Sequence, residues 1–392
     1  MPWHTPDLMS QRQEFVLLAR QPGAVFTRLC ARYGISPKTG YKWCKRLVEG
    51  GASALMDRSR RPHTSPRRTC EQLEDQVVRL YQETTWGGRK LRRRLQDLGQ
   101  VPVPAASTCT QILRRRGCLT RRDGEPHGPY KRFERAAPNA LWQMDFKGHF
   151  ATQAGARCHP LTVLDDHSRF NLVLEPVGDE TGATVRRILR ATFATYGLPE
   201  AILCDNGEPW GATEPVCPYT TLGVWLLELG VHVLHGRPYH PQTQGKDERF
   251  HKTLKRELIS RHTWRDLTHC AELFPPYRHR YNCERPHDAL AGDTPVQHYR
   301  PSPRNLPAAL PPIDYPIGTQ AHLVRAQGVI TFGGQSWYVG RAFAGKPVGL
   351  RACPQSDGLW QVWFAHHQLG DIDLRTPREP KHKLRSIYPP KA

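Results

Sequence analysis

The sequence predicts a multidomain α and α/β protein that ends in a small β-rich domain. Residues 1–118 carry apolar side chains at helical spacing between Gly and Pro breaks. Residues 137–300 mix short strand patterns with helical ones, and residues 317–376 contain only short β-prone runs between Gly turns. A chain of 392 residues is also too long for one hydrophobic core. We therefore expect domains at 1–56, 70–118, 137–300 and 317–376, linkers at 57–69, 119–136 and 301–316, and a basic tail at 377–392.

The chain is strongly basic. It has 56 Lys and Arg against 36 Asp and Glu, a formal net charge of +20 and a pI near 9.8. Such an excess attracts polyanions, so we expect a nucleic-acid partner. Eleven Cys without CxxC pairs indicate reduced thiols, and no apolar run reaches the roughly 20 residues that cross a bilayer. The expected location is the cytoplasm, in association with DNA, and not a membrane.

The first helical domain centres on a helix that begins at Ser36-Pro37, a cap followed by a first-turn proline, and ends at Gly50-Gly51. Its inward face is marked by Gly40, Trp43 and Leu47. With the preceding helical stretch at 25–33 it resembles a helix-turn-helix whose second helix enters a major groove. A plain three-helix bundle with a solvated basic side is the alternative. The outward face carries the candidate DNA-binding residues Lys38, Thr39, Lys42, Lys45 and Arg46.

A second helical domain follows a polar, Pro-rich linker. The periodicity predicts helices at 71–83, 89–98 and 106–116, separated by Gly-containing turns. The middle helix is the most basic of the three. Its candidate DNA-binding residues are Arg89, Lys90 and Arg93.

Two acids follow strand patterns in the region 137–300. The segment 141–147 alternates apolar and polar residues, so Asp145 projects from the face opposite the apolar one. Asp205 follows the apolar run 201–204 and precedes Asn206-Gly207, a turn signal that ends the strand. Alone, this Asp-Asn-Gly sequence would indicate a hairpin turn. Because α/β sheets expose their chemistry at strand ends, both acids are candidates for one site.

A third acid, Glu248, lies on a predicted helix. The apolar stripe of this helix consists of Phe250, Leu254 and Leu258. At about 100° per residue, Glu248 falls opposite the stripe, beside Lys252 and Lys255, which would contact DNA phosphates. Magnesium prefers a few carboxylate oxygens together with water and phosphate oxygens. Three converging acids therefore predict a metal site for chemistry at a phosphodiester.

These residues resemble a known family. Residues 142–304 are similar to the catalytic core of integrase-type DDE transposases, the bacterial insertion-sequence relatives of retroviral integrases. The matching segments are WQMD at 142–145, DDHSR at 165–169, CDNG at 204–207, RPYHPQTQGKDERFHKTL at 237–254 and YNCERPH at 281–287. Together and in this order they are specific, whereas each alone is weak.

The resemblance implies tandem N-terminal helix-turn-helix domains ahead of a ribonuclease-H-like α/β core. It implies that Asp145, Asp205 and Glu248 are both catalytic and metal-binding, with two Mg²⁺ or Mn²⁺ ions. It also implies a transposase that binds terminal inverted repeats, cleaves the element ends and joins them to target DNA as a homo-oligomer. A nuclease that does not join strands, or a DNA-binding regulator with an inactive core, are the alternatives.

The spacing of the acids departs from the family. A stretch of 42 residues separates Asp205 from Glu248, longer than usual, and a surface insertion at 208–221 accounts for the excess at little energetic cost. Four other acids are alternatives to Glu248, but each lacks either a position on the predicted helix or a place opposite its apolar stripe. They are Glu208, Glu214, Glu228 and Asp247. We interpret Asp165 and Asp166 as structural, either as turn residues or through a bond to Ser168 or Arg169. His240 and His251 flank the Glu248 helix and either contact DNA or serve packing.

The C-terminal region predicts short strands at 321–326, 329–332, 336–339, 348–353 and 359–364, with turns at Gly333-Gly334 and Asp357-Gly358. A small β-barrel resembling the C-terminal domain of integrases is our interpretation. It would bind DNA nonspecifically or support assembly.

Overall fold

The computed structural model describes residues 8–57, 68–119, 134–211, 219–235, 245–376 and 382–385. The chain divides into two compact units, Met1–Arg68 and Thr69–Ala392. His240 and the rival Glu214 lie outside the described residues. Within the described parts, no helix combines the length and apolarity that a membrane crossing needs.

The first unit is a three-helix domain made of α1 (Leu8–Ala19), α2 (Phe26–Arg32) and α3 (Pro37–Gly50). As predicted, Ser36 caps α3, since its hydroxyl accepts a hydrogen bond of 3.2 Å from the backbone N–H of Thr39. Gly40 permits the close approach of the helices, because a Cβ there would lie 2.8–2.9 Å from side-chain atoms of the core. The core comprises Phe15, Val16, Cys30, Trp43 and Leu55.

The second unit begins with another helical domain, made of α4 (Glu71–Thr84), α5 (Gly88–Asp97) and α6 (Ala106–Arg115). Each helix agrees with its predicted bounds to within one residue. The domain has its own core, which includes Trp86, Leu91, Leu95 and Ile112.

The central domain is a mixed sheet between two helical layers. Its strands are β1 (Trp142–Phe146), β2 (Phe150–Ala151), β3 (Arg157–Asp165), β4 (Asn171–Val177), β5 (Ala201–Cys204) and β6 (His232–His235). Strand β3 pairs antiparallel with β1, β2 and β4, while β1, β5 and β6 run parallel. The helices are α7 (Gly182–Tyr196), α8 (Thr221–Glu228), α9 (Gly245–Glu257), α10 (Leu267–Cys283) and α11 (Pro295–His298). One core lies between the sheet and α7 and α8, and a second lies between the sheet and α9 and α10.

The C-terminal domain is built from β7 (Gln320–Leu323), β8 (Val329–Phe332), β9 (Gln335–Tyr338), β10 (Pro347–Ala352), β11 (Leu359–Phe364), β12 (His367–Asp373) and β13 (His382–Lys383). Hydrogen bonds join these strands into a four-stranded sheet, β12-β11-β10-β7, and a three-stranded sheet, β13-β9-β8. The β-rich prediction is confirmed, but closure into a barrel is not shown, because strand pairing in the described residues leaves two separate sheets.

Candidate active site

Asp145 lies on β1, and Asp205 directly follows the neighbouring parallel strand β5. In the register of β1 and β5, Trp142 pairs with Ile202 and Gln143 with Leu203. Continued by two residues, this register brings Asp205 beside Asp145. The predicted meeting of these two acids therefore follows from strand pairing alone.

The electrostatics agree with this proximity. Burial, followed by the negative charge of Asp205, raises the pKa of Asp145 to about 7. Both influences disfavour the ionised carboxyl group. A cation bound here would offset the repulsion, so the donor set fits a hard divalent metal.

Helix α9 brings a further acid and a histidine to Asp145. Ligand atoms of Asp145, Asp247 and His251 all lie within 4.8 Å of one another. The Thr162 hydroxyl on β3 lies 3.2 Å from both carboxylate oxygens of Asp247 and 2.8 Å from Nε2 of His251. Burial is the main cause that raises the pKa of Asp247 well above its usual value, with the charge of Asp145 second. Burial also lowers the pKa of His251 to about 3, so this imidazole is neutral.

Glu248 does not belong to this cluster of ligand atoms. Its side chain is 55% exposed, and a carboxylate oxygen lies 2.7 Å from Nζ of Lys252. Asp247 is only 1% exposed and, as predicted, does not share the outward face of Glu248. The reason is visible in the sequence: Asp247 lies three residues before Phe250 and therefore shares the buried face of α9. The predicted role of Glu248 itself stays a prediction.

The start of α9 is held to the sheet by buried polar contacts that the sequence analysis missed. Nζ of Lys246 lies 2.5 Å from Asp166. The amide of Gln143 donates to Asp166 at 2.8 Å, and its oxygen accepts from the backbone N–H of Asp247 at 3.3 Å. Asp165 instead accepts from the N–H and hydroxyl of Ser168 at 2.7 and 2.6 Å. The bond predicted between Asp165 and Ser168 is present, whereas Asp166 forms an ion pair.

The candidate DNA-binding residues of α3 keep their predicted facing. Lys38, Lys42 and Lys45 are exposed, and Arg46 is half-buried against the Trp43 ring, 4.8 Å from its centre. The Thr39 hydroxyl lies 3.0 Å from that of Ser36 and so belongs to the helix cap. Contact of this face with DNA remains a prediction.

The candidate DNA-binding residues elsewhere differ from one another. Arg89 and Lys255 are exposed. Lys252 is exposed but paired with Glu248. Lys90 and Arg93 are instead engaged with acids of the central domain, Lys90 at 2.9 Å from Asp288 and Arg93 at 3.3 Å from Asp293. Only the fold reveals the acids opposite these two residues, and their predicted contact with DNA stays a prediction.

Family models match most of the chain in succession. An IS481 family transposase C-terminal domain matches residues 319–380. Integrase core domains match residues 135–241 and 229–295. A homeodomain-like domain matches residues 39–113, and a helix-turn-helix domain matches residues 11–63. These matches identify integrase core domains, helix-turn-helix domains and an IS481-type transposase C-terminal domain in the chain.

Curated relatives agree with this assignment. The chain is 27% identical over 161 residues to the insertion element IS476 uncharacterized 39.2 kDa protein of Xanthomonas euvesicatoria, covering 41% of this chain and 44% of that protein. It is 28% identical over 154 residues to the insertion element IS407 uncharacterized 31.7 kDa protein of Burkholderia multivorans, covering 39% and 53%. The chain thus spans about half the length of these relatives.

Solved structures share only a distant likeness. A simian T-cell lymphotropic virus intasome is 19% identical, with 77% of this chain and 100% of that chain covered and a TM-score of 0.36. The HTLV-2 integrase catalytic core domain in complex with magnesium is 16% identical, with 42% and 99% covered and a TM-score of 0.33. Scores of this size carry no conclusion about this chain.

Proposed function

We propose that this protein is a transposase that binds the terminal inverted repeats of an insertion sequence, cleaves DNA at the element ends and joins the 3′-hydroxyl ends to target DNA. The observation that carries the proposal is the pair Asp145 and Asp205 at adjacent strands of an integrase core. The helix-turn-helix matches ahead of this core support DNA binding.

The reaction is a pair of phosphoryl transfers. Water attacks the phosphodiester at an element end, so that one P–O bond forms, one breaks and a 3′-hydroxyl is released. That hydroxyl then attacks a phosphodiester of the target DNA in the same manner. Two bound Mg²⁺ or Mn²⁺ ions, held by Asp145, Asp205 and Glu248, would activate the attacking oxygen and stabilise the leaving one.

Burial favours Glu248 over Asp247 as the third metal ligand. The Asp247 carboxylate is enclosed and contacts Thr162, whereas a metal that carries water and DNA phosphate needs an accessible oxygen. Glu248 is accessible in the first turn of α9. Its release from Lys252 costs little, since an exposed ion pair contributes at most about 1 kcal/mol. Asp247 then supports the position of α9.

Joining two ends in one event requires more than one copy of the active site. We therefore propose that the protein works as a homo-oligomer on the paired transposon ends.

Neutral substitutions of the acids test the proposed site. Asp205→Asn and Glu248→Gln should retain binding to a terminal-repeat duplex but abolish covalent joining of a labelled end to a plasmid. Asp247→Asn keeps the shape of a buried side chain and should leave measurable joining. Glu272→Gln, an exposed acid on α10 with a 58% exposed side chain, serves as the control.

The outcomes separate the alternatives. If Glu248→Gln still joins DNA ends and Asp247→Asn does not, Asp247 rather than Glu248 is the third metal ligand. Cleavage without joining by the wild-type protein would indicate a nuclease. Repeat binding with neither reaction would indicate a regulator.

A further inference from the structure

The basic helix α5 faces the central domain instead of open solvent. Nζ of Lys90 lies 2.9 Å from Asp288, and Nη2 of Arg94 lies 2.6 Å from Glu284. Arg93 reaches Asp293 at 3.3 Å and also Asp97 of its own helix at 2.9 Å. The three acids of the central domain fall within the ten residues 284–293, so one short acidic segment meets one helical face. We call this set of contacts the α5 joint.

The centre of the α5 joint is buried. Trp86, immediately before α5, is 1% exposed, and its indole N–H donates to Oε2 of Glu257 at 3.4 Å. Glu257 is itself 5% exposed and is held by the Arg285 guanidinium at 3.2 Å. The buried Glu257 carboxylate keeps its hydrogen bond from the indole only while the second helical domain and the central domain remain in contact.

The central domain also donates hydrogen bonds back to the helical domain. The Arg261 guanidinium donates to the carbonyl oxygens of Gln82 and, at 2.7 Å, of Glu83. These carbonyls end α4, where unpaired acceptors and the helix dipole favour a cation. Charge complementarity thus runs in both directions across the contact, which is typical of a built interface and not of a chance contact.

The cations of the α5 joint are unavailable to a DNA phosphate. The Lys90 side chain is 15% exposed and that of Arg94 is 23% exposed. Burial is the first cause that lowers the pKa of Lys90, while Asp288 acts in the opposite direction. A phosphate would have to displace a carboxylate that already lies at hydrogen-bond distance.

Helix α6, in contrast, keeps an unobstructed polar face. Ser107, Gln111 and Arg114 are all exposed and recur at intervals of four and three residues, which places them on one side of the helix. In three-helix DNA-binding domains the third helix reads the major groove. These side chains provide both an amide and a guanidinium for base edges.

We propose that α5 does not read DNA but fixes the second helical domain to the catalytic domain, so that α6 reads the DNA at a set distance from the active site. The DNA-reading half of this inference rests on the proposed function. The α5 joint itself does not, because it can be measured without DNA or metal.

A charge swap in the full chain tests the α5 joint. Arg94→Glu and Glu284→Arg each place like charges opposite one another and should speed hydrogen exchange of the amides in α4 to α6 several-fold. The double variant restores opposite charges and should return exchange to the wild-type rate. Arg92→Glu, at an exposed position on the same helix, should leave exchange unchanged. Slow hydrogen exchange in β1 and β3 would show that the charge-reversed variants still fold. If they do not fold, the neutral variants Arg94→Gln and Glu284→Gln, alone and combined, provide a milder double-mutant comparison.

DNA binding without metal tests the other half. Gln111→Ala and Arg114→Ala should reduce discrimination between the terminal repeat and random duplex, by about tenfold for a bidentate base contact. Arg94→Glu paired with Glu284→Arg should bind the repeat like the wild type. Unchanged exchange in both single variants, or repeat binding lost with Arg94→Glu and not regained in the double variant, would overturn the inference. If hydrogen exchange responds to the single and double variants as expected but the protein binds no terminal repeat, the α5 joint is supported and the proposed function is refuted.

Discussion

Asp145 and Asp205 illustrate at the scale of single residues how function opposes stability. Burial, and then the like charge of Asp205, raises the pKa of Asp145, so the ionised pair destabilises the folded chain when no cation is present. The surrounding side chains satisfy their own bonds well: Gln143, Asp166 and Lys246 form a buried network that anchors α9.

A buried histidine at the α5 joint makes stability depend on pH. His287 is 8% exposed, and burial, then the charges of Arg285, Lys90 and Arg169, keep its pKa well below 6.5. The unfolded chain takes up a proton below pH about 6.5 while the folded chain does not. The stability contributed by neutral His287 is therefore present above that pH and is lost as the pH falls.

Urea unfolding at pH 6.5 and pH 5.5 measures this effect. The wild-type free energy of unfolding should fall by about 1 kcal/mol more than that of His287→Gln over this interval. Equal pH dependence of the two proteins would contradict the assignment of a neutral buried imidazole.

At the scale of elements, α8 is a helix with two buried faces. Leu222, Trp225, Leu226 and Leu229 pack into the core of the central sheet. Val224 and Leu227 pack into the core of the C-terminal domain instead. Lys346 of that domain adds an ion pair of 2.5 Å to Glu228. A helix that is apolar on all sides is explained only when a second domain covers its outer face.

Truncation of Leu227 should therefore loosen the C-terminal domain. Leu227→Ala removes a buried side chain from a core shared by two domains and should cost about 2–5 kcal/mol. We expect a lower urea midpoint and faster hydrogen exchange in β8 and β10. Leu323→Ala on β7, which is 66% exposed, should change stability by less than about 0.5 kcal/mol. Similar effects of the two substitutions would argue against a shared core.

At the scale of the whole molecule, some basic side chains are paired with acids and others are exposed to solvent. The net charge is +20, yet Lys90, Arg93 and Arg94 of α5 are paired with acids, while Lys38 and Lys42 of α3 are exposed. Only unpaired cations can exchange places with the counterions of DNA. The overall charge therefore indicates a polyanionic partner without identifying the surface that binds it.

Salt dependence of duplex binding distinguishes the two helices. A lost phosphate contact reduces the slope of log affinity against log salt by about 0.9. Lys42→Ala on α3 should reduce the slope by about that amount, whereas Lys90→Ala on α5 should leave it unchanged because Lys90 is bound to Asp288. An unchanged slope for Lys42→Ala would show that Lys42 does not contact a DNA phosphate and would argue against α3 as a DNA-binding surface.

The sequence by itself determined those features that depend on near neighbours. Caps, breaks and apolar periods are local, so Ser36, Gly50 and the turns between helices located α3 to α6 to within a few residues. Alternation along 141–147 and the turn after Cys204 were enough to place Asp145 and Asp205 at strands that can meet.

Only the tertiary structure decided what those elements face. Asp247 contacts Thr162 and Gln143 because α9 lies on β3 and β1, and Lys90 is paired because Asp288, 198 residues away, lies opposite it. In the C-terminal domain, β7 likewise pairs with β10 and β13 with β9, which joins segments that are not neighbours in the chain. Such contacts join residues far apart in the chain, and local periodicity carries no information about the partner on the other side.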